Sequence, residues 1–420
     1  MKRYDSYKDS GVKWLGEIPS HWETRLLKYC CSLKGRIGWN GLKSDEFEYS
    51  SYAYLVTGQD FVGAFINWNN CYQINQKRYD EDPYIQLVNG DILITKDGSI
   101  GKVAKVAGLD KPACLNSGIF VIKQLSNLFD QSYLYWALNS SVLKEFNRYT
   151  QTGATIAHLY QNVFEQMPCL IPPIKEQESI AKYLDSATSK IDEAIAQQQK
   201  MIDLLNERKQ IIINNAVTKG LDPNVKMKPS GIDWIGDIPE HWEIRRMRYL
   251  CKITTGNKDT INRVDDGLYP FYVRSPKVER INSYSYDGEA VLMAGDGVGA
   301  GKVFHYVNGK FDYHQRVYCF YEIEMIKAKL LYYYMQNLFK YVIEQLSAKS
   351  TVDSVRLNMI QDFVVCIPSI KEQIEIVNFI DKEFANIEKA IQISLNQISL
   401  LQERKQIIIN DVVTGKVKVI

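Results

Sequence analysis

Two glycine-bearing hairpins hold the residues of this sequence best suited to chemistry. They run from Thr95 to Lys102 and from Ala294 to Lys302, and each combines lysine, aspartate and glycine. The second is similar to a nucleotide phosphate loop, but Asp296 stands where that loop needs glycine, and Val303 replaces its serine or threonine. Neither hairpin leads into a predicted helix, so we predict tight turns whose glycines adopt positive φ. Such a turn can also approach a nucleic-acid phosphate closely.

Two repeated histidines are the next candidates for catalysis. His21 and His241 occupy equivalent places in a repeated segment, but no Cys, Ser or Asp constellation is repeated beside them, so we predict packing or capping roles. The signatures GxGxxG before a helix, HExxH and GxSxG are missing. The eight cysteines form no CxxC pair, and we expect reduced thiols packed as small apolar groups. The sequence therefore predicts no catalytic residues and no metal site.

The composition is that of a globular chain long enough for two domains with extensions. Of 420 residues, 45% are hydrophobic and 24% are charged. A net charge of +2 does not by itself indicate a nucleic-acid-binding protein, so that role requires the charge to be segregated on one face. No apolar run approaches the roughly 18 residues of a membrane span, and the first residues lack the apolar core of a signal peptide. We expect a cytoplasmic protein without a membrane partner.

The longest elements of the chain are repeated. The segment from Ile171 to Thr218 recurs 196 residues later with 24 of 48 positions identical, so both copies should form the same structure. Each copy starts with proline, as helices often do, and Gly220 or Gly415 follows its end. Between them, apolar residues step by four and three, the heptad pattern of a coiled coil. Because one chain carries both copies, they can pair with each other, which favours an intramolecular coiled coil over dimerisation.

Polar residues interrupt this apolar seam at matching places. Gln198 corresponds to Ser394, and Lys209 corresponds to Lys405. Buried polar residues in a seam fix the register of the helices at some cost in stability. The alternative is that these positions lie at the wetter edge of the helix pair, and both interpretations stay open.

A shorter repeat precedes each variable domain. The box from Gly11 to Glu23 recurs 220 residues later, not 196, which makes the second variable domain 24 residues shorter. Both domains contain short runs of β-branched and aromatic residues bounded by glycine, which are typical of strands. An amphipathic helix is predicted near the end of each domain, over Tyr133–Tyr149 and Ala328–Leu346. We predict an α+β fold with mostly antiparallel sheets.

The repeated motifs carry a specific resemblance. The string Ile-Pro-Pro-Ile-Lys-Glu-Gln, followed by a long helix that ends in Glu-Arg-Lys-Gln, resembles the DNA-specificity subunit of type I restriction-modification systems. The box Trp-Leu-Gly-x-Ile-Pro-x-His-Trp and its repeat match the same family. The motifs recur in order and at domain spacing, which makes the resemblance specific.

The resemblance implies two target recognition domains of mixed α/β structure, joined by two long antiparallel helices that form an intramolecular coiled coil. It places the first domain at 1–170, the first spacer helix at 171–220, the second domain at 221–366, and the second spacer helix with a tail at 367–420. Each domain would recognise one half of a bipartite double-stranded DNA target through base edges and phosphates. The helices would set the spacing and dock two methyltransferase subunits and, in a full complex, restriction/translocase subunits.

The implied role is that of a non-catalytic recognition subunit with no cofactor of its own, S-adenosylmethionine, ATP and Mg being expected on partner subunits. Two alternatives remain: a specificity subunit of a methylation-only or type IIB-like assembly, and a non-DNA coiled-coil scaffold with two protein-binding domains. Candidate DNA-binding residues lie in the two variable domains, some of them in the hairpins: Thr95, Lys96, Ser99, Lys102, Arg148, Thr152, Thr155, His158, Tyr160, Arg274, Lys277, Asp296, Lys302, Arg316, Thr351 and Arg356.

Overall fold

Two units divide the chain, and each takes part of both long helices. The computed structural model describes residues 2–36, 42–150, 158–347 and 354–419. The first unit consists of Met1–Gln197 together with Gln397–Ile420, and the second consists of Gln198–Asn396. Each half of the sequence therefore supplies a domain to one unit and the end of its long helix to the other.

The first unit is built on a six-stranded sheet and a smaller three-stranded sheet. The strands are β1 (Tyr7–Asp9), β2 (Glu17–Pro19), β3 (Glu23–Leu26), β4 (Cys31–Lys34), β5 (Ala53–Val56), β6 (Phe61–Val62), β7 (Phe65–Ile66), β8 (Tyr72–Ile74), β9 (Ile92–Thr95), β10 (Val103–Lys105), β11 (Ala113–Leu115), β12 (Ile119–Gln124) and β13 (Pro168–Ile171). The large sheet has the order β4-β12-β9-β10-β7-β6 and is antiparallel except where β10 lies beside β7. The small sheet has the order β11-β5-β8, and β1–β2 and β3–β13 form separate pairs.

The central strand β9 is buried on both faces. Ile92 and Ile94 belong to the core that also contains Tyr133, whereas Leu93 belongs to the core that contains Leu55 of the small sheet. Successive residues of a strand point to opposite faces. A continuous apolar run is therefore what a strand covered on both sides requires, and the sequence shows such a run here.

The predicted helix over Tyr133–Tyr149 is wrong in one respect, because the structure has two helices there. Ser140 separates them: its Oγ accepts from Val142 N (3.2 Å), and Ser141 N donates to the Asn410 side chain (2.7 Å). These bonds satisfy the first N–H groups of a new helix, so the chain restarts rather than continuing. The helices of this region are α1 (Gln76–Asp80), α2 (Gln131–Asn139), α3 (Ser141–Thr150), α4 (Gln161–Phe164) and the long α5 (Ile174–Lys219).

The second unit repeats this plan with a single large sheet. The elements are β14 (Met227–Pro229), β15 (Asp237–Pro239), β16 (Glu243–Arg246), β17 (Lys252–Thr255), β18 (Tyr269–Tyr272), β19 (Glu279–Ile281), β20 (Tyr286–Ala294), β21 (Phe304–Tyr313), β22 (Val317–Tyr321), β23 (Val364–Ile367), α6 (Ala328–Ser347), α7 (Leu357–Gln361) and α8 (Ile370–Val413). The large sheet has the order β17-β22-β20-β21-β18-β19 and is antiparallel except where β18 lies beside β21. The α+β class is confirmed, and so is the predicted helix over Ala328–Leu346.

The two long helices pair antiparallel within each unit. They contain 46 and 44 residues, which corresponds to about 65 to 70 Å at 1.5 Å per residue. In the first unit Leu184, near the start of α5, shares a core with Val412, near the end of α8. In the second unit Ile380, near the start of α8, shares a core with Ile213, near the end of α5. The predicted antiparallel helix pair is confirmed.

Two equivalent ion pairs fix the register of these helices. Lys405 Nζ lies 2.7 Å from Asp192 in the first unit, and Lys209 Nζ contacts Glu388 in the second. Each residue of one pair corresponds to a residue of the other at an offset of 196. The lysine side chains are only partly exposed, and Lys209 Nζ also lies 4.7 Å from the Phe384 ring centroid. The two seam lysines thus lie at the edge of the helix pair and hold its register, whereas Ser394 is buried.

Glycine ends both long helices against the box. Gly220 and Gly415 have φ values of 74° and 72°, in the left-handed region that favours glycine. A side chain at Gly220 would lie 3.2 Å from the Trp242 ring, and one at Gly415 would overlap Pro19. Each helix therefore finishes against the tryptophan and proline of a box, and the two contacts correspond.

We expect Gly415→Ala to destabilise the first unit strongly. The left-handed backbone costs alanine about 1–2 kcal/mol, and overlap with Pro19 adds about 1–3 kcal/mol of overpacking. Gly11→Ala is the matched control, because Gly11 has a φ of 73° in the same unit but no heavy atom within 4 Å of the new methyl. Thermal unfolding measures both. Equal losses in the two variants would show that the Pro19 contact contributes nothing.

Candidate nucleic-acid interface

A carboxylate in the first unit ties the box to the start of α5. Glu176 is buried and accepts hydrogen bonds from the Tyr4 hydroxyl (2.5 Å) and from Trp22 Nε1 (3.2 Å), and His21 Nε2 lies 2.8 Å from it. Burial and the hydrogen bond to Glu176 raise the pKa of Tyr4, so its hydroxyl remains a donor. The box and the Lys-Glu-Gln motif therefore form one structural contact.

The second unit repeats this contact at Glu372. Its carboxylate accepts from Trp242 Nε1 (3.3 Å) and Ser369 Oγ (2.7 Å), and His241 Nε2 lies 2.9 Å from it. Both repeated histidines thus pair with a glutamate that opens a long helix.

The neighbouring glutamines make a second repeated contact. Gln177 Nε2 donates to Leu128 O and Pro172 O, and its Oε1 accepts from Asp130 N. Gln373 does the same with Met325 O, Pro368 O and Lys327 N. Both glutamine side chains are fully buried, so all of these backbone groups would lose their partners if the amide were removed. We name Glu176 with Gln177, and Glu372 with Gln373, the Glu-Gln clamps.

We expect the second clamp to make stability depend on acid pH. Burial alone would raise the pKa of Glu372, but hydrogen bonds from Ser369, His241 and Trp242 outweigh it and lower the pKa to about 2. The folded value lies below the ordinary value of 4.5, so the carboxylate stabilises the fold above about pH 4.5. That contribution is lost as pH falls from 4.5 towards 2.

Thermal unfolding of wild type and Glu372→Gln between pH 2 and 7 measures this effect. Glu372→Gln should be less stable than wild type near neutral pH and should lose less stability than wild type below pH 4.5. Glu243→Gln is the control, since this carboxylate is exposed and pairs with the neighbouring Arg245 at the surface. Parallel pH profiles for wild type and Glu372→Gln would contradict the assignment.

The first hairpin is closed by a buried threonine and presents charged residues at its tip. Thr95 Oγ1 donates to Ser99 O (2.5 Å) and accepts from Lys102 N (3.0 Å), so this side chain builds the turn. Leu159 N donates to Lys96 O (2.9 Å), which brings the segment before α4 alongside the hairpin.

An aspartate at the tip of this hairpin pairs with one predicted residue, which in turn contacts another. Asp97 pairs with His158, whose ring centroid lies 4.8 Å from that of the exposed Tyr160. Hairpin and segment together offer an imidazole, a phenol and the exposed Ser99.

The second hairpin brings three predicted residues together. Arg274 Nη1 lies 3.1 Å from Asp296, and Arg316 Nε lies 3.6 Å from the other carboxylate oxygen. Val355 N donates to Gly295 O (2.7 Å), so the segment before α7 lies alongside this hairpin as well.

The two hairpins are similar backbone elements, although the second is two residues longer between its paired strands. Each contains Asp-Gly, and Gly98 and Gly297 have φ values of 67° and 69°, as the predicted turns require. The closing bonds, Gly101 N to Thr95 O and Gly301 N to Ala294 O, are both 2.9 Å long. The supporting residues Leu159 and Val355 are 196 positions apart. In the first unit the aspartate of this hairpin therefore pairs with an imidazole, whereas in the second unit it pairs with two guanidiniums.

The remaining predicted residues are placed as follows. Lys96 Nζ lies 4.8 Å from the Phe120 ring centroid, Arg148 is exposed on α3 beside Glu145, and Lys277 is exposed beside Glu279. Lys102, Lys302 and Arg356 are exposed. Three predicted residues lie outside the described residues: Thr152, Thr155 and Thr351.

The sequence interpretation missed Asp97 and the Glu-Gln clamps. Asp97 carried a usable signal, because an Asp-Gly pair occurs in both hairpins. The clamp residues carried a stronger signal, since the Lys-Glu-Gln string is identical in both copies. The string does not indicate that its glutamate contacts the histidine of the box, because that histidine lies more than 100 residues away in each unit.

Other kinds of site were sought among the described residues. There, no group of three or more His, Cys, Asp or Glu side chains is arranged to hold a metal ion. In the same ranges no helix is long and apolar enough to cross a membrane. All eight cysteines are free thiols, and burial raises the pKa of Cys31 and Cys71 to about 12.

This duplicated layout, with two related domains that each present a charged hairpin, is the layout of a recognition protein. A family model for the type I restriction modification DNA specificity domain matches residues 21–202 and matches again at residues 239–397. The chain belongs to this family.

Individual relatives agree with the family match. The chain is 24% identical to the type I restriction enzyme MjaVIII specificity subunit of Methanocaldococcus jannaschii, over 98% of this chain and 97% of that protein. It is 32% identical to the EcoDI specificity subunit of Escherichia coli, over 43% of this chain and 40% of that one. One chain from a solved type I R-M system has a similar fold, with a TM-score of 0.71 at 15% identity over 95% of this chain and 99% of that one.

Proposed function

We propose that this chain is the DNA-specificity subunit of a type I restriction-modification complex, and that each unit recognises one half of a bipartite target. The observation that carries the proposal is the shared hairpin scaffold: its Asp-Gly turn recurs in both units, but the side chains held by its aspartate differ. Two like scaffolds with unlike side chains suit two unlike half-sites, because base edges in the major groove are distinguished by side-chain donors and acceptors. The membership of both halves in one family supports the same conclusion.

The partners in this proposal are double-stranded DNA and two methyltransferase subunits. An exposed apolar stripe supports the second: Leu204 and Ile211 on α5, and Leu400 and Ile407 on α8, are each at least half exposed and seven residues apart. The two stripes correspond at an offset of 196, so each suits the same kind of partner helix. Restriction/translocase subunits would join the same complex.

The chain itself acts without catalysis in this proposal. S-adenosylmethionine, ATP and Mg belong to the partner subunits, and the work takes place in the cytoplasm, where the complex meets its DNA. The family match to a DNA specificity domain supports a recognition role, and the repeated histidines are engaged by the clamps.

Genome-wide methylation sequencing of cells with and without the gene tests the proposal. We expect one bipartite methylated sequence to be present in wild-type cells and to disappear when the gene is deleted. As a matched test of catalysis, the purified chain should transfer no methyl group from S-adenosylmethionine until methyltransferase subunits are added. An unchanged methylation pattern in the deleted strain would overturn the proposed function.

A further inference from the structure

The second unit contains a group of charged side chains at the junction of three loops. Arg274 follows β18, Asp296 lies in the hairpin after β20, and Arg316 precedes β22. The Asp296 side chain is 21% exposed, whereas those of Arg274 and Arg316 are 46% and 63% exposed. A carboxylate set back from the surface therefore holds two guanidiniums that reach into solvent.

The backbone around Arg316 is fixed on both sides. Arg316 N donates to His314 Nδ1 (3.0 Å), and Arg316 O accepts from Gly295 N (2.8 Å). His314 is itself buried, and Gln315 N donates to Lys258 O (2.8 Å). The backbone that carries the Arg316 side chain is thus held in place, which lowers the conformational entropy lost when the guanidinium binds a ligand.

The Arg274 loop is held by close approach of the glycine hairpin. A side chain at Gly299 would overlap Arg274 O, and one at Gly297 would lie 3.8 Å from Arg274 Nη1. Beside these loops lies a cleft of about 420 Å³, lined by Arg274, Asp296 and Thr260 among others. Val298, 96% exposed, stands at the tip of the hairpin.

The ion pairs leave most of each guanidinium available. Asp296 is within 3.6 Å of Nη1 of Arg274 and of Nε of Arg316, whereas a guanidinium carries five N–H donors. Guanine presents two acceptors in the major groove, O6 and N7, and together they can accept two parallel N–H groups of one guanidinium. The Asp296 oxygens each face an arginine, so Asp296 acts as a positioning residue and not as a reader of bases.

We propose that Arg274 and Arg316 recognise guanine in the half-site of the second unit, with Asp296 holding them in orientation. This inference rests on the proposed function. The first unit supplies the internal comparison: its equivalent aspartate, Asp97, holds His158 rather than arginine, so the two half-sites differ at the bases that these positions recognise.

The test compares methylated sequences in cells whose gene carries single substitutions. Arg274→Ala and Arg316→Ala should each lower the preference for guanine at one position of one half-site by roughly 5- to 150-fold, the range for one bidentate contact. Asp296→Asn should relax the same positions by a smaller factor with an unchanged melting temperature. The other half-site should keep its sequence in all three variants.

Lys252→Ala is the matched control, because Lys252 is a 63% exposed cation in the same unit that pairs with Glu322 and lies opposite Tyr321, at the end of β22 away from Arg316. It should leave both half-sites unchanged. Where an alanine variant leaves too little methylation to read, the purified methyltransferase complex is given a duplex pool randomised over the half-site, so that slow turnover still reports base preference.

Three results would overturn the inference. The first is a wild-type target with no G·C pair in the affected half-site. The second is an unaltered sequence preference in both arginine variants. The third is an equal loss of methylation at all sequences in the arginine variants, which would mean that the arginines contact phosphates. Each is distinct from failure of the proposed function, in which deleting the gene leaves the wild-type methylation pattern intact.

Discussion

Inserting four residues into each long helix, after Lys200 in α5 and after Asn396 in α8, lengthens the gap between the two half-sites and leaves both half-site sequences unchanged. Four residues add about 6 Å of helix, which is one to two base pairs at 3.4 Å each. They also turn the helix by about 400°, so each domain returns to within roughly 40° of its original face. Methylome sequencing of the variant measures the new gap.

The insertion has to be made in both helices because the ion pairs fix their register. The pairs Lys405–Asp192 and Lys209–Glu388 lie on opposite sides of the chosen positions, which face each other in the register that both pairs define. An insertion in α5 alone shifts one pair against the other and should lower thermal stability. A two-residue insertion in both helices turns them by about 200° and should nearly abolish methylation. Methylation by the four-residue variant at the original gap would show that the helices do not set the spacing.

Exchanging residues 24–170 for the corresponding segment of another family member should replace one half-site completely and leave the other intact. The exchange is feasible because its ends meet: β3 and β13 pair antiparallel, with Thr24 opposite Leu170. The clamp residues Glu176 and Gln177 lie outside the segment, and Gln177 binds backbone atoms of Leu128 and Asp130, which any donor sequence supplies. Methylome sequencing identifies the new target.

The reciprocal exchange of residues 244–366 is the control, since β16 and β23 pair in the same manner. It should change only the other half-site. Simultaneous change of both half-sites in either chimaera would contradict independent recognition by the two units.

Much of this fold was predictable from local sequence patterns. Strands such as β9 and β20 follow from short apolar runs, and α5 and α8 follow from a heptad pattern bounded by proline and glycine. The break at Ser140 was not predictable, because it depends on the bond from Ser141 N to the Asn410 side chain, 269 residues further along the chain than Ser141. The parallel pairing of β18 with β21 could not be predicted either, since local sequence patterns do not specify which strands become neighbours.

The candidate site divides in the same manner. The hairpins and most of their charged residues could be identified, because Asp-Gly turns and nearby lysines are local features. Their grouping could not, because Arg274, Asp296 and Arg316 come from three separate loops. The assignment of the DNA-binding residues stays a prediction until the substitutions above are made.

The exchange of helix ends between the two halves of the chain bears on its ancestry. Residues 1–197 complete their core only with Ile409, Val412 and Val413 from the other half. Two copies of a single ancestral half would supply these ends to each other, so a pair of identical short chains could form every contact of this kind. Such a symmetric pair recognises a palindrome, because the symmetry of a protein dimer is matched by its target. In a single chain that carries both copies, each domain can vary independently, so its target need not be symmetric.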